Sequence, residues 1–106
     1  RRMAQERCDE FHYIALFNEN QPQPSLPPED AADVVRGLRR VAGAPGAPVR
    51  LIGSGTLLAE VRAAADLLRA DWGVEAEVFS ATSYAELARE AREAERAARL
   101  HPLAPV

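Results

Sequence analysis

The sequence predicts an α/β fold, with strand, helix, strand and helix in order on a largely parallel sheet. The prediction rests on three observations. A short apolar run at residues 49–52 is followed by a helix-period stretch at 56–70 and a second short run at 76–81, and two strands joined by a crossing helix make a parallel βαβ unit. Glycines punctuate these segments at Gly53-Ser54-Gly55 and at Gly73. The tetrapeptide Ser83-Tyr84-Ala85-Glu86 then has the spacing of a helix capping box. With 106 residues, 47% hydrophobic and 27% charged, the chain has the composition of a packed domain rather than a disordered one.

Taken in order, residues 1–10 read as the end of a helix already under way, because no capping residue precedes them. Residues 11–17, FHYIALF, are too few for a typical helix and are expected to form a buried strand. Residues 21–28 contain four prolines, which remove backbone donors and fix φ, so an extended, irregular loop is expected. From Pro27 or Pro28 a helix is predicted to run to about Val41. Proline lies in its first turn, Glu29, Asp30 and Asp33 near its positive end, and Val34, Val35, Leu38 and Val41 on one stripe. Arg36, Arg39 and Arg40 would then occupy its carboxyl end.

Residues 43–48, GAPGAP, break all periodicity and are the candidate boundary between an upstream region, 1–42, and a downstream one, 49–106. In the downstream region Leu57, Leu58, Val61, Ala64, Ala65 and Leu68 form one apolar helix face, and Gly73 is placed for a left-handed cap beside Trp72, expected to pack at the helix end. The last helix is predicted to start at Tyr84, with Ser83 and Glu86 capping each other, and to stop at Pro102.

Charge and candidate chemistry narrow the functional classes. The net charge is −3, and acids are interspersed among the arginines, so no basic face is set aside for nucleic acid. No apolar run approaches the length of a membrane span, and Cys8 has no second cysteine to pair with. Gly53-Ser54-Gly55 lies between a strand and a helix, where amides can hold an anion. A tight structural turn is the simpler reading, since Leu58 occupies the third-glycine position of a dinucleotide fingerprint. Asn18-Glu19-Asn20 follows the carboxyl end of the first predicted strand, an edge that carries ligands in α/β proteins, yet such residues commonly cap turns. His12 and His101 lie far apart in the chain and are read as structural residues rather than metal ligands. Ser83 lacks the Gly-x-Ser-x-Gly setting of a nucleophile. Glu86, Arg89, Glu90, Arg92, Glu93, Glu95, Arg96 and Arg99 are expected to make a charged, solvated or intersubunit helix face. No catalytic, cofactor-binding or metal-binding residue is assigned.

Three blocks in one order carry a family resemblance: Asn18-Glu19-Asn20 with the proline-punctuated loop behind it, Leu51-Ile52-Gly53-Ser54-Gly55 with Leu57-Leu58, and Tyr84 to Arg89 leading to Arg96 and Leu100-His101-Pro102. Together they resemble the carboxy-terminal third of the homodimeric-type pyruvate dehydrogenases. The resemblance implies that 1–42 end the middle, pyrimidine-binding domain and that 49–106 begin a transketolase-like carboxy-terminal domain concerned mainly with dimer assembly. It further implies a cytoplasmic enzyme of pyruvate metabolism that uses thiamine diphosphate and Mg2+. That enzyme would decarboxylate pyruvate and pass the acetyl group to a lipoyl domain of a dihydrolipoyl acetyltransferase core. The family's metal motif, catalytic histidines and cofactor-activating glutamate have no counterpart among these residues, and His12 and His101 match neither role. The isolated polypeptide is therefore expected to be inactive. Other transketolase-like enzymes and a non-catalytic α/β interaction module are the alternatives.

Overall fold

The computed structural model describes residues 25–102, together with Gln5, Glu6, Asp9, Phe11, Tyr13, Ile14, Asn18 and Asn20. The opening helix and the strand expected at 11–17 lie largely outside the described residues. Phe11, Tyr13 and Ile14 are described; they are exposed and in no strand, so at these positions the expected burial is not found.

A 3-10 turn at Pro28–Asp30 leads into helix α1, Ala31–Arg36, with Pro28 at the start and Glu29 and Asp30 in the first turn. Here the structure corrects the sequence reading. The helix stops at Gly37, and Leu38–Ala42 forms strand β1 rather than continuing to Val41. Gly37 adopts φ 97°, and its amide donates to the carbonyls of Asp33 and Val34 at 3.1 and 3.2 Å. A side chain there would place Cβ 2.6 Å from the Ser83 carbonyl oxygen, so only glycine makes this exit from the helix without strain. Of the three arginines expected at the helix end, only Arg36 lies there; Arg39 and Arg40 are on β1, where Arg39 Nε donates to Asp30 Oδ2 at 2.8 Å.

Strand β2, Val49–Gly53, helix α2, Leu57–Trp72, and strand β3, Ala76–Ala81, form the βαβ unit that periodicity predicted, with β2 and β3 parallel. The strand order is β1-β3-β2, and β1 pairs antiparallel with β3 through a register shift between Arg40 and Ala42. The sheet is thus mixed, because β1 adds the antiparallel pair to the expected parallel one. The segment 43–48 joins two strands of this one sheet.

Alternation along β2 and β3 divides the sheet into two faces. Gly53 points at α2, since a Cβ there would lie 2.7 Å from Val61 Cγ2. Val49 and Leu51 on the same strand, and the register partners Ala76, Val78 and Ser80 on β3, share that face. Against it α2 turns the half-buried Leu58, Val61, Ala65 and Leu68. Leu57 and Ala64, predicted on the same stripe, are exposed. The core is small: Ala76, Val78 and Ala81 are the buried apolar residues among those described, and Val78 is 1% exposed.

At the end of α2 the Gly73 amide donates to Arg69 and the Val74 amide to Leu68, both at 3.1 Å, which is the paired bonding of a Schellman cap. Trp72, expected to pack, is 76% exposed. Helix α3, Tyr84–Leu100, begins and ends as predicted. It starts on the face opposite α2, and from Ala91 to Leu100 every residue is exposed.

Candidate functional site

The face away from α2 carries Leu38 and Arg40 of β1, Glu77, Phe79 and Ala81 of β3, and Arg50 and Ile52 of β2. Because α3 and α1 reach over only part of it, a cleft of about 380 Å³ remains. Leu38 and Phe79 line it from the sheet, Leu87 from α3, and its rim includes Arg36 and Glu90, whose side chains pair at 3.0 Å.

At the base of the cleft lies an ionic cluster that crosses all three strands. Glu77, on the central strand, is 4% exposed. Its Oε1 accepts a hydrogen bond from the Gly46 amide at 2.9 Å and lies 3.6 Å from Arg50 Nε, and its Oε2 lies 3.6 Å from Arg40 Nη1. Guanidinium groups keep their protons, so the buried carboxylate faces two permanent positive charges and a backbone donor. A buried charge is tolerated when it is paired in this way. The arrangement contains no nucleophile-base pair; what it can do is tie β1, β2 and the 43–48 loop to β3.

This cluster was missed in the sequence for a specific reason. Glu77 interrupts an apolar strand, a legible signal that it needs a partner, but Arg40 was assigned to a helix end, and cross-strand register cannot be read from local pattern.

The residues singled out in the sequence are dispersed. Gly53-Ser54-Gly55 is a close approach between β2 and α2: a Cβ at Gly53 would meet Val61 and, at 3.3 Å, Leu58 Cα. The Tyr84 hydroxyl donates to Ser54 Oγ at a long 3.4 Å. Asn18 and Asn20 are exposed, whereas Glu19, His12 and Cys8 lie outside the described residues. His101 follows the last turn of α3, its amide donating to Ala97 at 2.8 Å.

Ser83 acts as the N-cap, its Oγ accepting from the Glu86 amide at 3.3 Å. The reciprocal half of the capping box does not form. Ser83 N donates instead to the Gly37 carbonyl at 3.2 Å, and Glu86 turns to Arg89. Arg89 is held between Glu86 and Glu93, and its hydrogen bonds to these two, Glu86 first, raise its already high pKa. Among the described residues no group of three or more His, Cys, Asp or Glu could hold a metal ion, and no helix is long and apolar enough to cross a membrane.

The sheet, with α2 and α3, falls within a stretch that comparison with known proteins assigns to one family. Residues 37–103 match the model of the transketolase-like C-terminal domain. The chain belongs to this family. The match begins at Gly37, the residue that ends α1 and opens β1. Several relatives carry the name pyruvate dehydrogenase E1 component, in agreement with the resemblance noted in the sequence. The one from Cupriavidus necator is 44% identical over 106 residues, covering 96% of this chain and 12% of that protein. The one from Pseudomonas aeruginosa is 42% identical over 105 residues, with the same two shares. That from Escherichia coli K12 is 39% identical over 95 residues, covering 88% of this chain and 11% of that protein. This transketolase-like chain therefore spans about an eighth of the length of the relatives it matches.

Proposed function

We propose that this chain is a segment of a thiamine-diphosphate-dependent pyruvate dehydrogenase of the acetyl-transferring type. The observation that carries the proposal is the 44% identity to a pyruvate dehydrogenase E1 component across 96% of the chain. The whole enzyme would decarboxylate pyruvate and transfer the remaining acetyl group to a lipoyl disulfide. One sulfur would then be acylated and the other reduced to a thiol, with release of CO2. Thiamine diphosphate, anchored by Mg2+, would supply the carbanion chemistry. The described residues offer no cluster suited to that metal, so no step through either group is assigned to this chain.

The role proposed for the segment is scaffolding and subunit assembly. Its sharply defined features are packing devices: Gly53 against α2, Gly37 against α3, and the Glu77 cluster across the sheet. We place the second copy of the chain and a dihydrolipoyl acetyltransferase core as partners, in the cytoplasm. We also propose that the carboxy-terminal domain starts before β1, not within 43–48, since β1 shares a sheet with β2 and β3.

The test is acetyl transfer by the full-length protein. With pyruvate, thiamine diphosphate and Mg2+, mass spectrometry of a free lipoyl domain is expected to show an added acetyl group. Turnover of ketose phosphates with no acetylation from pyruvate would overturn the reading. Calorimetric titration of the 106-residue polypeptide with thiamine diphosphate and Mg2+ is expected to give no heat of binding, and micromolar affinity would contradict the scaffolding role.

A further inference from the structure

We infer that residues 31–48, comprising α1, β1 and the loop after it, form a strap that opens from the βαβ unit as one piece, with Glu77 as its clasp. Three observations converge on this.

The strap has little apolar anchorage. Within residues 31–48 only Gly37 is buried. Both faces of β1 border open space: the cleft of about 380 Å³ beside Leu38 and Arg40, and a smaller cavity of about 80 Å³ between Ala42–Gly43 and the Ala65 and Arg69 side of α2. The ladder to β3 is itself broken by the register shift between Arg40 and Ala42.

Besides that ladder and the half-buried Val34, Leu38 and Val41, what holds the strap is polar and falls into two groups, with Arg36 also paired to Glu90 at 3.0 Å. At one end the Gly37 carbonyl accepts from the amides of Thr82 and Ser83 at 2.9 and 3.2 Å, and Thr82 Oγ1 donates to the Val34 carbonyl at 2.7 Å. At the other, Glu77 holds the Gly46 amide and faces Arg40. Segments with few buried apolar contacts open locally at a fraction of the global unfolding free energy. Opening here would uncover Phe79 and the β1-facing edge of β3.

The two arms of the clasp differ, and that makes the inference testable. Arg40 is on the strap, whereas Arg50 is on β2, inside the βαβ unit. Hydrogen exchange of the full-length protein, read by mass spectrometry on peptides covering 38–48 and 57–72, separates the two regions. Glu77→Gln is expected to speed exchange of 38–48 by about tenfold while leaving 57–72 unchanged, as for a locally opening unit. Arg40→Met should act in the same direction and Arg50→Met should spare the strap. Equal acceleration of both peptides, no acceleration of 38–48, or an Arg50→Met effect on the strap as large as that of Arg40→Met would each overturn the inference. Should Glu77→Gln fail to fold, the contrast between the two arginine variants decides. The readout is independent of which reaction the full-length protein catalyses.

Discussion

On one face of the sheet α2 lays Leu58, Val61, Ala65 and Leu68 over the β2–β3 pair, with Val78 beneath; on the other, α3 brings Leu87 to an open cleft and leaves Ile52 56% exposed. The first face is finished by apolar burial within a contiguous stretch of chain. The second is finished by polar contacts between segments far apart in sequence: Gly37 with Thr82 and Ser83, Arg36 with Glu90, Glu77 with Gly46. Apolar packing is non-directional and tolerates small adjustments. Hydrogen bonds and glycine-only backbone contacts do not, so the less buried face should hold the more abrupt sensitivities.

The largest effect is therefore expected at a residue with no side chain. Gly37→Ala combines a positive φ with a Cβ 2.6 Å from a backbone oxygen, and should cost about 3 kcal/mol, read as faster amide exchange of residues 38–48. A loss as small as that of an ordinary surface substitution would break the comparison.

Next comes a pair of truncations that pits the faces against each other. Val78→Ala, in the buried strand, should cost roughly 2 kcal/mol, whereas Leu87→Ala should cost only about 1 kcal/mol, although it removes more atoms, because the cleft wall can relax into open space. If thermal unfolding ranks Leu87→Ala as the more damaging, the α3 face is better packed than its cleft indicates.

Ser83→Ala removes the cap oxygen from the Glu86 amide and is expected to cost about 1 kcal/mol, with faster amide exchange confined to the first turn of α3. The smallest effect is assigned to Arg89→Ala. This exposed residue pairs with Glu86 and Glu93, yet such pairs contribute under about 1 kcal/mol. Its loss should become undetectable in unfolding measurements at high salt, where exposed charges are screened.

Which parts of the molecule were legible in the sequence follows the same division. Strand β3 was placed at Ala76–Ala81 and helix α3 from Tyr84 to Leu100, because each has a strong local period and a local stop or start signal. Strand β1 was not. Val34, Val35, Leu38 and Val41 satisfy a helical stripe as well as Leu38–Ala42 satisfies a strand, and the signal that separates the two is Gly37 behind Arg36, since a glycine after a basic last turn marks a helix end.

The sequence by itself determined the family, through three motif blocks in one order along the chain, and it determined the elements of the βαβ unit, the Gly73 cap and the Ser83 N-cap, whose signals lie within a turn or two of each other. Tertiary structure alone decided that β1 enters the sheet antiparallel beside β3, that Glu77 is shared by Arg40 and Arg50, and that Ser83 gives its amide to Gly37 rather than to Glu86. The physical reason is that strand pairing and buried-charge neutralisation join groups that local periodicity does not relate, and each is settled only when the chain closes on itself.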